Sequence, residues 1–124
     1  DIMRLAPMPI YTVGQSCMSM ASIILAAGEK GHRYLLPNAR TMIHLPSGSM
    51  SGNEEEVANS AKQMREVKER MIQTYIEFGC PKTPKQIGID LRLDHWMSPK
   101  ETIDDYKLAD SIMTKEVFAQ MLIG

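Results

Sequence analysis

The longest periodic pattern in the chain lies between residues 53 and 78. Val57, Ala61, Met64, Val67, Met71, Tyr75 and Phe78 recur at spacings of three and four, which puts them in one stripe along a helix. Asn53 is a good N-cap, and Glu56 three residues later supplies the reciprocal half of a capping box. Glu54, Glu55 and Glu56 place negative charge in the first turn, where it opposes the helix dipole favourably. Glu66 and Arg70 add a pair four residues apart, and Gly79 and Pro81 end the helix. About 26 residues make a helix roughly 39 Å long at ~1.5 Å per residue. That exceeds what a domain of this size needs, so the pattern predicts an overhang; one explanation is that it packs against another subunit.

The remaining patterns are shorter. Ile10-Tyr11-Thr12-Val13 reads as a strand that enters a turn at Gly14. Small and apolar residues from 20 to 27 predict a short helix, apolar nearly all round and therefore buried, with Gly28 as the left-handed residue beyond its end. Residues 33–36 form a short strand, Pro37-Asn38 a turn, and residues 41–44 a second apolar strand stopped by Pro46. The glycine- and serine-rich stretch 47–52 is a loop or an exposed edge strand. Residues 83–91 predict a short helix and 94–97 a turn or short strand. Ser98, Pro99 and Glu101 open a helix to about residue 107. Residues 108–113 return toward the core, and 115–122 form a small terminal helix. Alternating strands and helices give an α/β class with a largely parallel sheet.

At 124 residues the chain fits one domain, residues 1–124. Its 44% hydrophobic and 23% charged residues are those of a globular protein with a real core. A formal net charge of −1 with no basic face argues against nucleic acid as a partner. No apolar run reaches the length of a membrane span. Cys17 and Cys80 fit neither a disulfide framework nor a metal pattern, and read as two unpaired thiols in a reducing compartment. Eleven methionines are unusual; they fill core gaps or line an adaptable contact surface. The opening Asp1-Ile2-Met3-Arg4 is not a signal peptide and does not begin with Met, which reads as a processed or partial chain.

Few residues can carry chemistry. Ser19 lies between a strand-and-turn segment and a buried helix, where free backbone N–H groups can stabilise an oxyanion, although serines there are ordinarily N-caps. Met18-Ser19-Met20 lacks the glycine-flanked serine of α/β-hydrolases. His44 ends an apolar strand, the place where α/β sites gather and also a common place for a structural histidine. His32 sits in an exposed turn and is expected to have no role. Asp94 reads as one acid among many, in a turn or as a cap. His32, His44 and His95 lack metal-ligand spacing, so no metal site is expected.

Several blocks in order resemble the proteolytic subunits of the Clp protease, the ClpP family. They are Ser19-Met20, Leu25-Ala26-Ala27-Gly28, Lys30-Gly31-His32-Arg33-Tyr34, Leu36-Pro37-Asn38-Ala39-Arg40 and Met42-Ile43-His44. Ser47-Gly48 and Ser51-Gly52 follow, then Val67-Lys68-Glu69-Arg70, then Asp94 ahead of Met97-Ser98-Pro99-Lys100-Glu101. The resemblance implies a ClpP/crotonase-type α/β fold with a protruding handle helix at 53–78. It implies a serine endopeptidase triad of Ser19 as nucleophile, His44 as base and Asp94 as acid, with the backbone N–H of Met20 in the oxyanion hole. It implies identical or paralogous subunits in heptameric rings, unfolded polypeptide substrates and a ring-shaped AAA+ unfoldase. The chain has no phosphate-binding motif of its own, so ATP would be consumed by that partner, and no cofactor is implied.

Four positions depart from the family pattern. Ala21 replaces a glycine, and Leu45 a glutamine. Gly14-Gln15 stands one residue further from the serine, which predicts a shifted or bulged strand. Residues 79–84 hold a short insertion. The family's first strands and glycine-rich loop, source of the second oxyanion donor, have no counterpart before Asp1. Either the sequence is a fragment or those parts are missing; a chain that starts at Asp1 is expected to be inactive alone. A catalytically silent structural subunit of a mixed ring stays open as the alternative, and an acyl-CoA enzyme of the related crotonase fold as a further one. Bacterial cytoplasm, mitochondrion and plastid all suit the sequence.

Overall fold

The computed structural model describes residues 1–123. In chain order they form α1 (Ile2–Leu5), β1 (Thr12–Met18), α2 (Met20–Ala26), β2 (Arg33–Ile43), α3 (Glu54–Glu77), α4 (Pro84–Asp90), β3 (His95–Met97), α5 (Pro99–Asp104), β4 (Ser111–Ile112) and α6 (Lys115–Ile123). β2 is the organising strand. It pairs in parallel with β1, in parallel with β4 at Tyr34 and Leu35, and antiparallel with β3 at Thr41, Met42 and Ile43. The α/β class with mainly parallel pairing follows the sequence reading.

α3 forms as its caps dictate. The Asn53 side chain accepts from the Glu56 N–H at 2.9 Å, and the Glu56 carboxylate accepts from the Asn53 N–H at 2.9 Å. Only Met71, Ile72 and Tyr75 of its 24 residues are buried. The N-terminal part of the apolar stripe, with Val57 and Val67, stands in solvent as the overhang predicts. The buried end joins Ile43, Ile87, Leu91, Met97, Tyr106 and Leu108 in one core cluster. A second cluster of Cys17, Leu25, Leu35, Ala39 and Ala109 lies between β1, α2 and β2.

Several elements differ from expectation. β1 does not turn at Gly14 but continues to Met18. Gly14 is needed there for space: a Cβ would lie 2.6 Å from Cys17 Sγ and 3.0 Å from Leu35. The two predicted strands flanking Pro37-Asn38 are one, β2, and the turn is an excursion within it. From Gly14↔Leu35 to Ser16↔Arg40, β1 advances two residues while β2 advances five. Exposed Pro37 and Asn38 occupy that excursion, where proline's missing N–H costs no ladder bond. The expected irregularity beside Gly14-Gln15 is thus present, with the extra residues on β2. Residues 47–52 carry no strand and form a loop.

Gly28 is not left-handed; close approach requires it, because a Cβ would meet Thr12 Oγ1 at 2.5 Å. α2 buries only one face, with Ser22, Leu25 and Ala26 inside and Met20 and Ile24 more than half exposed. α5 stops at Asp104 rather than near 107, because Lys107 turns left-handed (φ 52°) and Leu108 N–H returns to the Thr102 carbonyl at 3.1 Å. α1, which no pattern announced, docks on the end of α3, where Arg4 pairs with Glu77 and lies over the Phe78 ring.

Buried Arg33 fastens these parts. Its guanidinium donates to the carbonyls of Ala26 (3.2 Å) and Phe78 (3.1 Å), the ends of α2 and α3, and to both oxygens of Asp110 (2.9 and 2.8 Å). Asp110 also accepts the N–H groups of Gly31 and Arg33. Burial pushes its carboxyl pKa up, but the Arg33 guanidinium and these N–H donors outweigh burial and leave it below the usual carboxylate range.

Candidate functional site

Ser19 stands at the junction of β1 and α2, and the junction is strained. Its backbone has φ 57° and ψ −121°, outside the regions a serine ordinarily occupies, at a cost of about 1–3 kcal/mol. Neighbouring groups hold it there. The Ser19 N–H donates to the Met42 carbonyl at 2.8 Å, across the β1–β2 seam. Its carbonyl accepts from the Ser22 N–H at 3.0 Å and from the Ser22 hydroxyl at 2.6 Å. The Ser22 hydroxyl is also 2.8 Å from the Tyr75 hydroxyl. Although Ser19 occupies the N-cap position, its side chain makes no cap hydrogen bond, so the hydroxyl is left available. A strand, a strained serine and a helix follow in succession, an elbow that sets the Ser19 hydroxyl near the first N–H groups of α2, beginning with Met20.

His44 and Asp94 reach the same end of the sheet through strand pairing. β2 and β3 run antiparallel in the register Thr41↔Met97, Met42↔Trp96, Ile43↔His95. Both strands end there, and continuing that register by one residue sets His44 opposite Asp94. A second bridge, Leu45 N–H to the Leu91 carbonyl at 2.9 Å, holds the segments that continue from them. His44 Nδ1 lies 4.0 Å from Asp94 Oδ1, inside ion-pair range and beyond hydrogen-bond length. The histidine is half-buried, and the Asp94 side chain is 64% exposed in the loop before β3.

The departures from the family pattern sit differently in space. The Ala21 methyl packs on the cluster of Cys17, Leu25 and Leu35. It therefore lies against the core rather than in the open surface at Ser19. Cys17, two residues before Ser19, is buried, and burial pushes its thiol pKa up; the same holds for Cys80. Burial thus disfavours the thiolate that a cysteine nucleophile requires.

His32 is not the solvated turn residue of the sequence reading. Its ring stacks on Tyr11 at 4.1 Å, and Nδ1 lies 3.0 Å from the Tyr34 hydroxyl. It stands at the start of β2, at the opposite end of the strand from His44. His95 packs against the Tyr106 ring at 5.5 Å. Among the described residues no cluster of His, Cys, Asp and Glu is suited to a metal ion.

Ser22 and Tyr75 do not stand out as site residues in the sequence. Ser22 carried a faint signal, as a polar residue in a run otherwise small and apolar. Tyr75 carried none, since its ring fits the apolar stripe of α3 and only its hydroxyl has a different use.

A family model described as Clp protease matches residues 1–116. The chain is 38% identical over 117 residues to "ATP-dependent Clp protease proteolytic subunit 1" of Salinibacter ruber, covering 93% of this chain and 49% of that protein. It is 36% identical over 117 residues to "ATP-dependent Clp protease proteolytic subunit 2" of Mycolicibacterium paratuberculosis, covering 93% and 57%. It is 37% identical over 118 residues to the subunit 1 of that name in Mycobacterium tuberculosis, covering 93% and 57%. The chain thus spans roughly half the length of the curated relatives it matches.

Proposed function

This chain belongs to the Clp protease family, and from that premise we propose that it is a serine endopeptidase subunit of an ATP-dependent Clp protease, with Ser19, His44 and Asp94 as its triad. The observation that carries the reading is the strained elbow at Ser19, whose hydroxyl does no capping. Strain of this kind is kept where function uses it.

The chemistry follows from the roles. His44 takes the hydroxyl proton as Ser19 Oγ bonds to the scissile carbonyl carbon. The carbonyl oxygen becomes an oxyanion beside the Met20 N–H; loss of one such donor typically costs ~2.7–4 kcal/mol. On collapse the C–N bond breaks and His44 returns its proton to the leaving amine. Water, deprotonated by His44, then releases the acyl group and restores Ser19. Asp94 orients His44 and stabilises its charged form. At 4.0 Å it must close by about 1 Å to hydrogen-bond, a motion its exposed loop permits.

The substrates in this reading are unfolded polypeptides delivered by an AAA+ unfoldase, and the subunits assemble into heptameric rings. Exposed Val57, Val67, Met20 and Ile24 supply apolar surface for contacts between subunits. The open 4.0 Å gap favours one competing reading, a catalytically silent subunit of a mixed ring. Hydrolysis of a short fluorogenic peptide by the full-length protein in its assembled ring separates the two. The proposal expects turnover that falls at least 10³-fold on Ser19→Ala; turnover unchanged by that substitution contradicts it.

A further inference from the structure

The hydrogen bonds at the Ser19 carbonyl have a direction. Ser22 has a single hydroxyl proton. The Ser19 carbonyl can only accept, so the 2.6 Å contact spends that proton. The 2.8 Å contact between Ser22 Oγ and Tyr75 Oη must therefore be donated by Tyr75. The chain of donors runs one way, from the Tyr75 hydroxyl on α3 to the Ser22 hydroxyl on α2 to the Ser19 carbonyl. Ser22 and Tyr75 are both fully buried.

We propose that Ser22 and Tyr75 are positioning residues that hold Ser19 in its strained backbone geometry and so aim its hydroxyl. The inference rests on the reading of Ser19 as the nucleophile. Neither side chain touches the reacting atoms; both act through the Ser19 carbonyl. An unrestrained serine relaxes toward an ordinary helical or extended backbone, and the hydroxyl swings with it. A displacement near 1 Å at a reacting group can cost about 10²-fold in rate.

A structural role would look different in one variant. Ser22→Ala alone leaves the Tyr75 hydroxyl buried without a partner, so it loses stability whatever the role. Ser22→Ala combined with Tyr75→Phe removes both polar groups and leaves no orphan, which restores stability toward wild type. It does not restore the restraint on Ser19. The experiment measures the rate of fluorophosphonate labelling against pH, with thermal unfolding beside it, on the full-length assembled protein. The proposal expects the double variant to melt within a few degrees of wild type while labelling at least about tenfold more slowly. The pH midpoint of labelling stays unchanged, because the base is untouched. Tyr75→Phe, which keeps Ser22 in place, is expected to slow labelling severalfold and serves if the double variant does not fold. Labelling of either soluble variant at the wild-type rate overturns the inference and leaves the nucleophile reading standing. An assembled wild type that does not label overturns both.

Discussion

Replacing Asp110 with alanine should destabilise the protein by about 3 kcal/mol. Among the described residues, this carboxylate is the only counter-charge hydrogen-bonded to the Arg33 guanidinium, whose side chain is 4% exposed. The substitution removes two charge-assisted bonds from that guanidinium and the acceptor for the N–H groups of Gly31 and Arg33. Truncating one partner of a buried ion pair costs about 3–5 kcal/mol, mostly because the other charge stays buried. Asp110 keeps a 24% exposed side chain through which water can reach the vacated site, which sets the lower end of that range. The assay is urea unfolding at fixed protomer concentration near neutral pH. A loss below about 1 kcal/mol would refute the reasoning, because it would mean the guanidinium is adequately solvated without its partner. The pH dependence has a definite sign. The folded pKa of Asp110 is depressed, so its contribution is complete above the ordinary carboxylate value near ~4 and is lost as pH falls below it toward the folded value. The gap between wild type and Asp110→Asn should accordingly narrow in acid.

Other substitutions test separate parts of the account. Gly28→Ala drives a methyl into Thr12 at 2.5 Å and should cost about 1–3 kcal/mol by the same unfolding assay, although the backbone there suits any residue. Asn53→Ala breaks the capping box; it should raise amide exchange in the first turns of α3, worth about 1 kcal/mol locally, and leave the melting temperature nearly unchanged, since those turns are exposed. Ala21→Gly restores the family's residue but removes a packed helical methyl. It should lower stability by about 0.5–1 kcal/mol without raising peptide turnover, and a large gain in turnover would show that Ala21 restrains the site.

What was legible in the sequence was mostly local. The α3 boundaries rest on signals within a few residues of each end, and Asn53 with Glu56 forms the predicted box. Thr83 and Ser98 cap α4 and α5 for the same reason, each accepting from the N–H three residues on. What depended on distant partners was not legible. Gly28 reads as a helix terminator, yet its constraint comes from Thr12 on the neighbouring strand. His32 reads as a solvated turn residue because Tyr11 and Tyr34 meet it only in the fold. Arg33 is an unremarkable cation in sequence, and its partner Asp110 stands on another strand's approach.

The candidate site divides the same way. Only the family resemblance singles out Ser19, His44 and Asp94, since a serine before a helix or a histidine at a strand end is ordinary. Why His44 faces Asp94 lies in the antiparallel register of β2 and β3. The groups that meet the Ser19 backbone are also distant in sequence: the Met42 carbonyl on β2, and Tyr75 on α3 joined through Ser22.

The most direct test is the mass-spectrometric map of the fluorophosphonate adduct on the full-length protein assembled with its ring partners. The account predicts a single adduct on Ser19, absent from Ser19→Ala and strongly slowed in His44→Ala. No adduct on Ser19 in an intact ring, or one formed equally well without His44, would contradict the assignment of Ser19 as an activated nucleophile.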